Sequence, residues 1–556
     1  MQRKPLTRQR STGWLPACLC GLLAFVLSAS FINHGLVDSP LPAGPGLTTD
    51  ESINIRQGVF LFESFLQFGP LMMLPGSSDA VYSSPSYMAD YVPLGRFLLG
   101  MSHGLTAWMI SGAESSVFNV PAARLASCFA FAVTTMLIAL FCFRRYGTST
   151  SILAALLFVL MPRVVGHSRL ASLETLTSLA WFAALLPLLS WWTSDRPPTN
   201  RQAMISGLMW GLLMLVKIQA VFLPPVITVF AFAMFRGRAL RPLSIMAVTG
   251  LAVFYGGWPW LWLDPVNHTR SYLMSTTDRL PVNNWYLGQR YVDKATPWHY
   301  PLVMLALTIP LHILAGLVLR MFRRKPDSVE WLLLVSIVVP LFTFCLPGTP
   351  VYDGIRLFLI VTPAIAILSA RGIQIVLREP FGAASTEIDG SSSATTNKLA
   401  AGVVGIVLLF DAALTVPNLG PFAGNFWNQL ADAIDPDQTD LEANYWGDGL
   451  NSDFWNAVPH GSTVAVAPVL HPVLLQDMQN FIPLIQERHI KLEPFYYDPE
   501  EQRGLVLLLH RFADLPPGLR RPPVGSSPLM EVRSNGRVLA TLVDTRDVTW
   551  QERPEW

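Results

Sequence analysis

Charge and cysteine are scarce in this chain of 556 residues. Charged residues make up 14% of it, whereas soluble globular proteins contain about 25%. The five cysteines all lie in apolar runs, which argues against a disulfide framework and against a CxxC metal site. Apolar residues make up 51% and come in long blocks. This distribution argues against a purely soluble enzyme and indicates a protein that lies mostly within a membrane.

Motifs of soluble-nucleotide and zinc-peptidase chemistry are also lacking. The sequence has no G-x-x-x-x-G-K-[ST], no G-x-G-x-x-G opening a helix and no H-E-x-x-H, and its ten histidines show no i, i+4 pair. The net charge is +1, and no basic cluster is interleaved with aromatic residues, so nucleic acid is not expected as a partner. These absences favour a substrate that is already in the membrane.

The charge is unevenly distributed along the chain. From Asn418 onward there are 10 Lys/Arg and 19 Asp/Glu, a net charge of −9, which leaves +10 for the preceding part. We therefore predict two domains, a membrane domain over residues 1–417 and a polar domain over 418–556. Three segments of the polar domain read as strands, and Asn535-Gly536 is a hairpin turn signal. A small α/β domain outside the membrane is expected.

About eleven stretches of the first domain are apolar and of a length near that of a membrane-crossing helix. They lie near residues 14–32, 122–143, 151–161, 173–192, 203–216, 221–235, 243–262, 300–319, 329–346, 355–370 and 399–416. With a cytoplasmic amino terminus, 18 of the 29 basic residues ahead of the polar domain fall on inner segments, as the positive-inside bias requires. The predicted fold class is an all-α polytopic membrane bundle with an uncleaved amino-terminal anchor and an external carboxyl terminus.

Three predicted outer segments are long or polar: the first loop over 33–121, the loop over 264–297 and the carboxyl-terminal domain. Within the first loop, residues 94–110 mix apolar side chains with arginine, serine and histidine, which favours a helix lying at the membrane interface. A stretch over 379–397, rich in serine, threonine and glycine, is predicted to be a flexible cytoplasmic linker.

Thr48-Thr49-Asp50-Glu51 precedes an apolar-periodic stretch in the first outer loop, and Thr49 or Asp50 can cap the helix that this stretch predicts. One interpretation is a capped interfacial helix with acids in its first turn, where they suit the helix dipole. The other is a catalytic carboxylate held at the membrane surface by a rigid helix end, where it can take a proton from an acceptor hydroxyl.

A second polar cluster contains Arg163, His167, Arg169 and Glu174 between two predicted spans. Two arginines on an outer loop run against the positive-inside bias. The arginines either pair with Glu174 and phospholipid head groups or line an anionic site, and the residues alone leave both interpretations open.

Basic residues also occur at the outer ends of other spans. Lys217 either extends its ammonium group to the membrane interface or supplies positive charge to a functional site. Arg356 follows Tyr352 and Asp353 at the start of the tenth span, and Arg279 lies in the long outer loop. A guanidinium near a helix start is suited to clamp phosphate. Asp411, inside the last span, is predicted to pair within the bundle.

Taken together, these motifs resemble the GT-C glycosyltransferases, the polytopic class that includes protein O-mannosyltransferases and the aminoarabinose transferase of lipid A. The resemblance extends over roughly 47–370. It is carried by Asp50-Glu51, DYVPLGRFLLG (90–100), PRVVGHSRLASLET (162–175), Lys217, WLWLDP (260–265), PWHYPLVMLALTIPL (297–311) and YDGIRLFL (352–359), with weaker likeness near Asn444-Tyr445-Trp446-Gly447.

The resemblance implies a donor sugar on a polyprenyl phosphate and an acceptor hydroxyl on a lipid, glycan or protein outside the cytoplasm. It implies catalytic Asp50 with Glu51 beside it, and inversion of the anomeric centre. The other site residues expected are cations for the phosphate and orienting or acceptor-site groups: Arg163, His167, Glu174, Lys217, Arg279, Tyr352, Asp353 and Arg356. A divalent metal stays open, membrane lipids are expected partners, and the bacterial inner membrane is the expected location.

Two positions depart from the family pattern: Tyr91-Val92-Pro93-Leu94 stands where relatives commonly have His-Pro-Pro-Leu, and Glu174 where they commonly have Asp. Two other classes of protein stay open. One is a transporter or flippase for a lipid-linked or polar solute, although the polar residues gather at span ends rather than at the midplane. The other is a membrane scaffold without catalytic activity. Substitution of Asp50 separates the classes, because only an enzyme should lose turnover.

Overall fold

The computed structural model describes residues 13–33, 42–89, 91–111, 118–275, 281–323, 325–378, 392–442, 447–496 and 504–548. Helices dominate this part of the chain up to residue 434. They are α1 Trp14–Ala29, α2 Thr49–Phe68, α3 Ser77–Tyr82, α4 Pro93–Ser111, α5 Val120–Tyr146, α6 Thr148–Val159, α7 Pro162–Ser168, α8 Leu173–Pro187, α9 Asn200–Met214, α10 Leu223–Phe235, α11 Leu240–Gly256, α12 Trp260–Leu263, α13 Pro265–Ser275, α14 Tyr300–Thr308, α15 Leu311–Arg323, α16 Ser328–Phe344, α17 Thr362–Arg378, α18 Ser392–Thr415 and α19 Gln429–Ile434.

Among the described residues, four helices are long and apolar enough to cross a membrane, or up to six if each of two bent helix pairs is one span. The four are Val120–Tyr146, Leu173–Trp192, Ile218–Gly256 and Arg356–Leu377. The bent pairs are α6 with α7, at 70°, and Tyr300–Thr308 with Leu311–Phe322, at 116°. All eleven predicted stretches fall on helices, so the helical bundle is confirmed. The structure does not establish eleven spans, because several of these helices are short or broken near prolines.

The bundle packs around α5, which contacts α1, α4, α6 and α8. In the first outer loop, α2 crosses α4 at Gly58 and Gly100, and α4 in turn packs on α5. A Cβ on Gly100 would lie 1.8 Å from the carbonyl oxygen of Gly58, so the two helix backbones touch directly. The helix predicted over 94–110 is present as α4, with Leu105 and Trp108 exposed, and its location at the membrane interface stays a prediction.

Asp411 pairs within the bundle, as predicted. Its Oδ2 lies 2.7 Å from Nδ1 of His312 and accepts a hydrogen bond from the His312 backbone N–H at 2.8 Å. Most of the predicted linker lies outside the described residues, and from Ser392 the chain is already helical.

The remaining elements lie after α13 and in the carboxyl-terminal part. They are β1 Asn284–Tyr286, β2 Gln289–Tyr291, α20 Ser452–Ala457, β3 Thr463–Ala467, α21 Pro472–Phe481, α22 Pro483–Glu487, β4 Lys491–Pro494, β5 Leu505–Leu509, β6 Ser527–Ser534 and β7 Arg537–Asp544. The carboxyl-terminal part contains a five-stranded sheet of order β4-β3-β5-β7-β6. Strand β3 is parallel to β4 and β5, and β7 is antiparallel to β5 and β6. The predicted hairpin is confirmed: Asn535 and Gly536, with φ of 50° and 80°, join β6 to β7.

Candidate active site

Four charged side chains lie around Arg356: Asp50, Glu174, Lys217 and Asp353. The guanidinium contacts Asp50 through Nη2, donates from Nε to Oε1 of Glu174 at 2.7 Å, and donates from Nη1 to Oδ2 of Asp353 at 2.8 Å. The Nζ of Lys217 donates to the same Glu174 oxygen at 2.5 Å. We call these five residues the Arg356 network. The network joins three carboxylates to two cations, and the sequence predicted each member separately.

Helix ends bring the Arg356 network together. Asp50 lies in the first turn of α2 and Glu174 in the first turn of α8. Lys217 lies in extended backbone between α9 and α10, while Arg356 begins the 3-10 turn that leads into α17. Such ends expose unpaired backbone groups and suit charged side chains better than the middle of a span does.

The backbone turns sharply before Arg356. Asp353 has φ of 56° and Gly354 has φ of 64°, conformations that few residues other than glycine, asparagine and aspartate adopt. The turn is fixed by a hydrogen bond from the Gly354 N–H to the Tyr300 hydroxyl at 2.9 Å. The neighbouring Tyr352 ring lies 5.8 Å from the Arg356 guanidinium carbon, in the range of a cation–π contact.

Asp50 is the carboxylate of the network that solvent reaches most easily. Its side chain is 31% exposed, against 1% for Glu174 and 5% for Asp353. Desolvation by the surrounding helices raises the pKa of the Asp50 carboxyl, and the positive charge of Arg356 beside it opposes that rise. A reachable carboxylate with a raised pKa has the properties of a general base.

Glu51 was expected beside Asp50 in the site, and the structure places it elsewhere. Consecutive helix residues do not face the same direction, so Glu51 points into the protein, where it is fully buried. Its Oε1 and Oε2 receive hydrogen bonds from Arg124 at 2.7 and 2.8 Å. Oε1 also accepts from the Ala171 N–H, and Oε2 from the Thr48 N–H and hydroxyl. Glu51 therefore anchors the helix start that carries Asp50.

Replacing Arg124 by methionine is expected to destabilise the protein by about 3–5 kcal/mol, because the buried Glu51 carboxylate loses its cation. Thermal unfolding in detergent measures the loss. The matched control is Arg145→Met: Arg145 pairs with Asp327 on the surface, with side chains 46% and 40% exposed, and such pairs contribute about 0–1 kcal/mol. Equal melting temperatures for the two variants would contradict the anchoring role of Glu51.

The two arginines of the second cluster hold the segment that follows the last apolar helix. Arg163 donates from Nε to the Phe426 carbonyl at 2.9 Å, and its guanidinium carbon lies 4.6 Å from the Trp427 ring centre. Arg169 donates to the carbonyls of Leu419 and Gly420. These contacts give both arginines a packing role that the sequence did not indicate.

Two cavities adjoin the Arg356 network, and His167 lines both. The smaller has a volume of about 10 Å³ and includes Glu174 and Ser178 in its wall. The larger, of about 30 Å³, is lined by Pro45, Arg163, Gly166, His167, Leu170, Asp353, Pro421, Gly424, Asn425 and Asp448.

Two residues near the network were missed by sequence reasoning. Arg511, after β5, donates from Nη1 to Oδ1 of Asp353 at 3.4 Å and from Nε to Asp514 at 2.5 Å. Asp448 lines the larger cavity. Both belong to the carboxyl-terminal part, to which no site residue was assigned. Asp448 directly follows the weaker likeness near Asn444-Tyr445-Trp446-Gly447, which was the one sequence signal that pointed to it.

Some predicted positions lie outside the described residues: Arg279, Asp90 and Asn444-Tyr445-Trp446. Tyr91, which stands where relatives commonly have histidine, is described; its ring lies 4.1 Å from the Arg96 guanidinium carbon. Among the described residues, no three His, Cys, Asp or Glu side chains are placed to hold a metal ion together.

The segment Gly100-Met101-Ser102-His103-Gly104 has the G-x-S-x-G spacing of a hydrolase nucleophile, which requires a sharp turn between strand and helix. Here the segment lies inside α4. The Ser102 hydroxyl donates to the Ala122 carbonyl at 2.7 Å, and His103 Nε2 accepts from the Asn119 N–H at 2.9 Å. Both side chains thus tie α4 to the start of α5.

Residues 105–262 match the family model of dolichyl-phosphate-mannose-protein mannosyltransferases. The matched segment includes Glu174 and Lys217, and the match confirms the resemblance to GT-C glycosyltransferases that the motifs indicated. Asp50 and Arg356 lie outside the matched segment, and the fold brings them to it.

Solved structures were also found to be similar. ArnT from Cupriavidus metallidurans bound to undecaprenyl phosphate is 14% identical to this chain, with 96% of this chain and 98% of that chain covered and a TM-score of 0.48. Its apo state is 13% identical, with the same coverage and a TM-score of 0.45. The Archaeoglobus fulgidus oligosaccharyltransferase tethered with an acceptor peptide is 11% identical over 87% of this chain and 64% of that chain, with a TM-score of 0.46. A comparison with curated protein sequences gave no match.

Proposed function

We propose that this protein is a membrane glycosyltransferase that moves a sugar from a polyprenyl-phosphate donor to an acceptor hydroxyl on the extracytoplasmic face. The observation that carries the proposal is the contact between Asp50 and Arg356, in which a reachable carboxylate lies against a cation at the start of the apolar helix Arg356–Leu377. The family-model match supports the transferase class.

In the proposed step the acceptor hydroxyl attacks the anomeric carbon from the side opposite the phosphate. A bond forms between the acceptor oxygen and the anomeric carbon, and the bond from that carbon to the phosphate oxygen breaks. The hydroxyl proton goes to Asp50, and the bonding electron pair leaves with the polyprenyl phosphate. A single displacement with one base inverts the anomeric configuration.

The phosphate leaving group needs positive charge rather than a general acid. Arg356 and Lys217 supply it, and in the described structure both are engaged by carboxylates. We infer that the incoming phosphate takes over Nη2 of Arg356 from Asp50. The exchange would free the carboxylate to accept a proton only when the donor is in place, which couples donor binding to base activation.

The remaining roles follow from position. Glu174 holds Arg356 and Lys217 together, His167 stands between the two cavities, and Asp353 fixes Arg356 from the other side. We propose that residues 1–417 form the catalytic membrane domain and that 418–556 lie outside the cytoplasm. The bacterial inner membrane is the proposed location, with a cytoplasmic amino terminus and a lipid, glycan or protein as acceptor.

The function is tested with purified protein in lipid and a panel of radiolabelled polyprenyl-phosphate sugars that includes mannose, glucose and aminoarabinose forms. Release or transfer of label from one donor establishes the transferase class and names the sugar. If every donor stays intact while the protein remains folded, the proposal fails. Movement of intact donor between leaflets would then indicate a flippase, and no movement a scaffold.

The acid limb of the pH–rate profile is expected to lie above the ordinary aspartate pKa of about 3.9. Asp50 must be ionised to act as a base, and desolvation raises its pKa, so kcat/KM falls as the pH decreases through that raised value. The measurement is kcat/KM for donor turnover from about pH 4 to about pH 9, with melting temperature followed at each pH. A flat profile down to about pH 4 would contradict Asp50 as the base.

A further inference from the structure

The loop that follows β5 brings the carboxyl-terminal part into contact with the Arg356 network. Arg511 in this loop donates from Nη1 to Oδ1 of Asp353 at 3.4 Å, while Arg356 donates from Nη1 to Oδ2 of the same carboxylate at 2.8 Å. Asp353 therefore lies between two guanidinium groups, one from each part of the chain. Its side chain is 5% exposed and that of Arg511 is 18% exposed, so water and salt screen this contact less than they screen a surface ion pair.

The loop that carries Arg511 is held by the outer loop that contains β1 and β2. The Ala513 carbonyl accepts a hydrogen bond from Arg290 Nε at 2.7 Å. Asp514 accepts from Asn283 Nδ2 at 3.0 Å through Oδ1, and from Arg511 Nε through Oδ2. Two contacts that do not involve Arg511 thus fix the backbone from which it reaches Asp353. A substitution of Arg511 is therefore expected to leave the loop in place.

Two acids besides Asp353 face Arg511. Asp514 is 31% exposed, so solvent stabilises part of its charge. Glu442 is buried, and its Oε1 accepts from the Ala513 N–H at 2.9 Å. Burial raises the pKa of the Glu442 carboxyl to about 8, so this acid is uncharged at neutral pH. Among the described acids that face Arg511, Asp353 is therefore the buried one whose negative charge depends on it.

The charge of Asp353 affects how the Arg356 network receives an anion. The network contains three carboxylates and two cations, so by itself it carries one excess negative charge. Arg511 supplies the balancing positive charge at Asp353. Charges a few ångströms apart interact much more strongly in a partly buried site than in water. A donor phosphate is therefore repelled less when Arg511 is present.

We propose that Arg511 is a positioning residue of the active site: it balances the charge of Asp353 and so leaves Arg356 able to exchange the Asp50 carboxylate for the donor phosphate. The inference rests on the proposed function and adds a role of the carboxyl-terminal part in donor binding. Asp353 raises the pKa of Asp50, and without Arg511 its uncompensated charge raises that pKa further. Arg511 thus acts on the proposed base through two intervening side chains.

The test compares donor turnover in full-length wild type, Arg511→Met, Arg511→Gln and Arg511→Lys in lipid, with the polyprenyl-phosphate sugar that wild type consumes. Methionine keeps an unbranched stem without charge, glutamine keeps an amide donor without charge, and lysine returns the charge. The matched control is Arg546→Met, because Arg546 is 75% exposed and pairs with Asp544 in the same domain. Both kcat and KM are measured from about pH 4 to about pH 8, with the melting temperature followed at each pH.

In the two neutral variants we expect KM for the donor to rise about tenfold, because the phosphate meets one more uncompensated negative charge. Their acid limb of kcat/KM should lie at higher pH than in wild type, since the base has the higher pKa. Arg511→Lys should recover part of both, and Arg546→Met should match wild type. In an Asp353→Asn background, Arg511→Met should add no shift of the acid limb, because the residue through which Arg511 acts has lost its charge.

An acid limb at the wild-type pH in both neutral variants overturns the inference. The same shift in Arg546→Met, no recovery in Arg511→Lys, or a shift that persists in the Asp353→Asn background overturns it as well. Each of these results leaves the transferase standing, because wild type still consumes its donor. Wild type that consumes no donor refutes the proposed function, and the inference fails with it.

Discussion

Replacing Asp50 by asparagine is expected to lower kcat by about 10²–10⁴, the contribution of a general base. Asparagine keeps the shape of the aspartate side chain in the first turn of α2, but it cannot take a proton. KM for the donor is expected not to rise, because in the proposed mechanism Arg356 and Lys217 hold the phosphate, which no longer has to displace the Asp50 carboxylate from Arg356. Single-turnover assays with the donor identified by the panel measure the effect directly.

The control for this substitution is Glu63→Gln on the same helix. Glu63 is exposed on α2, and its replacement removes one negative charge without touching the Arg356 network. Glu63→Gln should keep wild-type kcat, and Asp50→Glu should keep part of it because the carboxylate is displaced by one methylene. Unchanged turnover in Asp50→Asn, with the fold intact, would exclude Asp50 as the base.

Replacing Arg356 is expected to give the second large effect. Methionine removes the cation from three carboxylates at once, and loss of one such electrostatic group costs about 10²–10³ in kcat. Lysine restores the charge but not the three-way contact, since only the planar guanidinium offers donors in several directions. We therefore expect Arg356→Lys to recover part of the donor affinity and little of kcat.

The Arg356 variants also carry a signature that a merely structural role would not produce. Arg356 opposes the desolvation that raises the Asp50 pKa, so its removal should raise that pKa further. The acid limb of residual activity in Arg356→Met is expected to move to higher pH than in wild type. Arg201→Lys, at an exposed position, serves as the matched control. An acid limb at the wild-type pH in Arg356→Met would contradict the coupling of the two residues.

Helix positions were predictable because the apolar runs are long and the turn signals are local. The hairpin at Asn535-Gly536 is one example, since its conformation depends on two residues. The number of spans was not predictable to the same degree. Pro162, the first residue of α7, and Pro310, between α14 and α15, break stretches whose hydropathy is continuous.

The members of the candidate site were predictable one by one, but their contacts were not. Asp50 and Arg356 are 306 positions apart, and nothing in either motif specifies the other. Glu51 was predicted to lie in the site and does not. Asp50 reaches Arg356, whereas Glu51 points into the protein and pairs with Arg124. The sequence shows two adjacent acids but not the direction in which each side chain points. Arg511 has no motif around it and Asp448 has only the weaker likeness that ends at Gly447, so the folded chain was needed to place both residues near the network.

The ion pair between Arg511 and Asp353 bears on how the two parts of the chain can change over evolutionary time. A tail exchanged for one from another protein could keep its own sheet and still deprive Asp353 of a partner cation. Asp353 would then attract Arg356 more strongly. In the proposed mechanism this would change how readily the donor phosphate displaces Asp50 from Arg356. We therefore expect the two parts to be inherited together. A chimera with a foreign carboxyl-terminal part should reach wild-type turnover only when that part has an arginine at the position of Arg511.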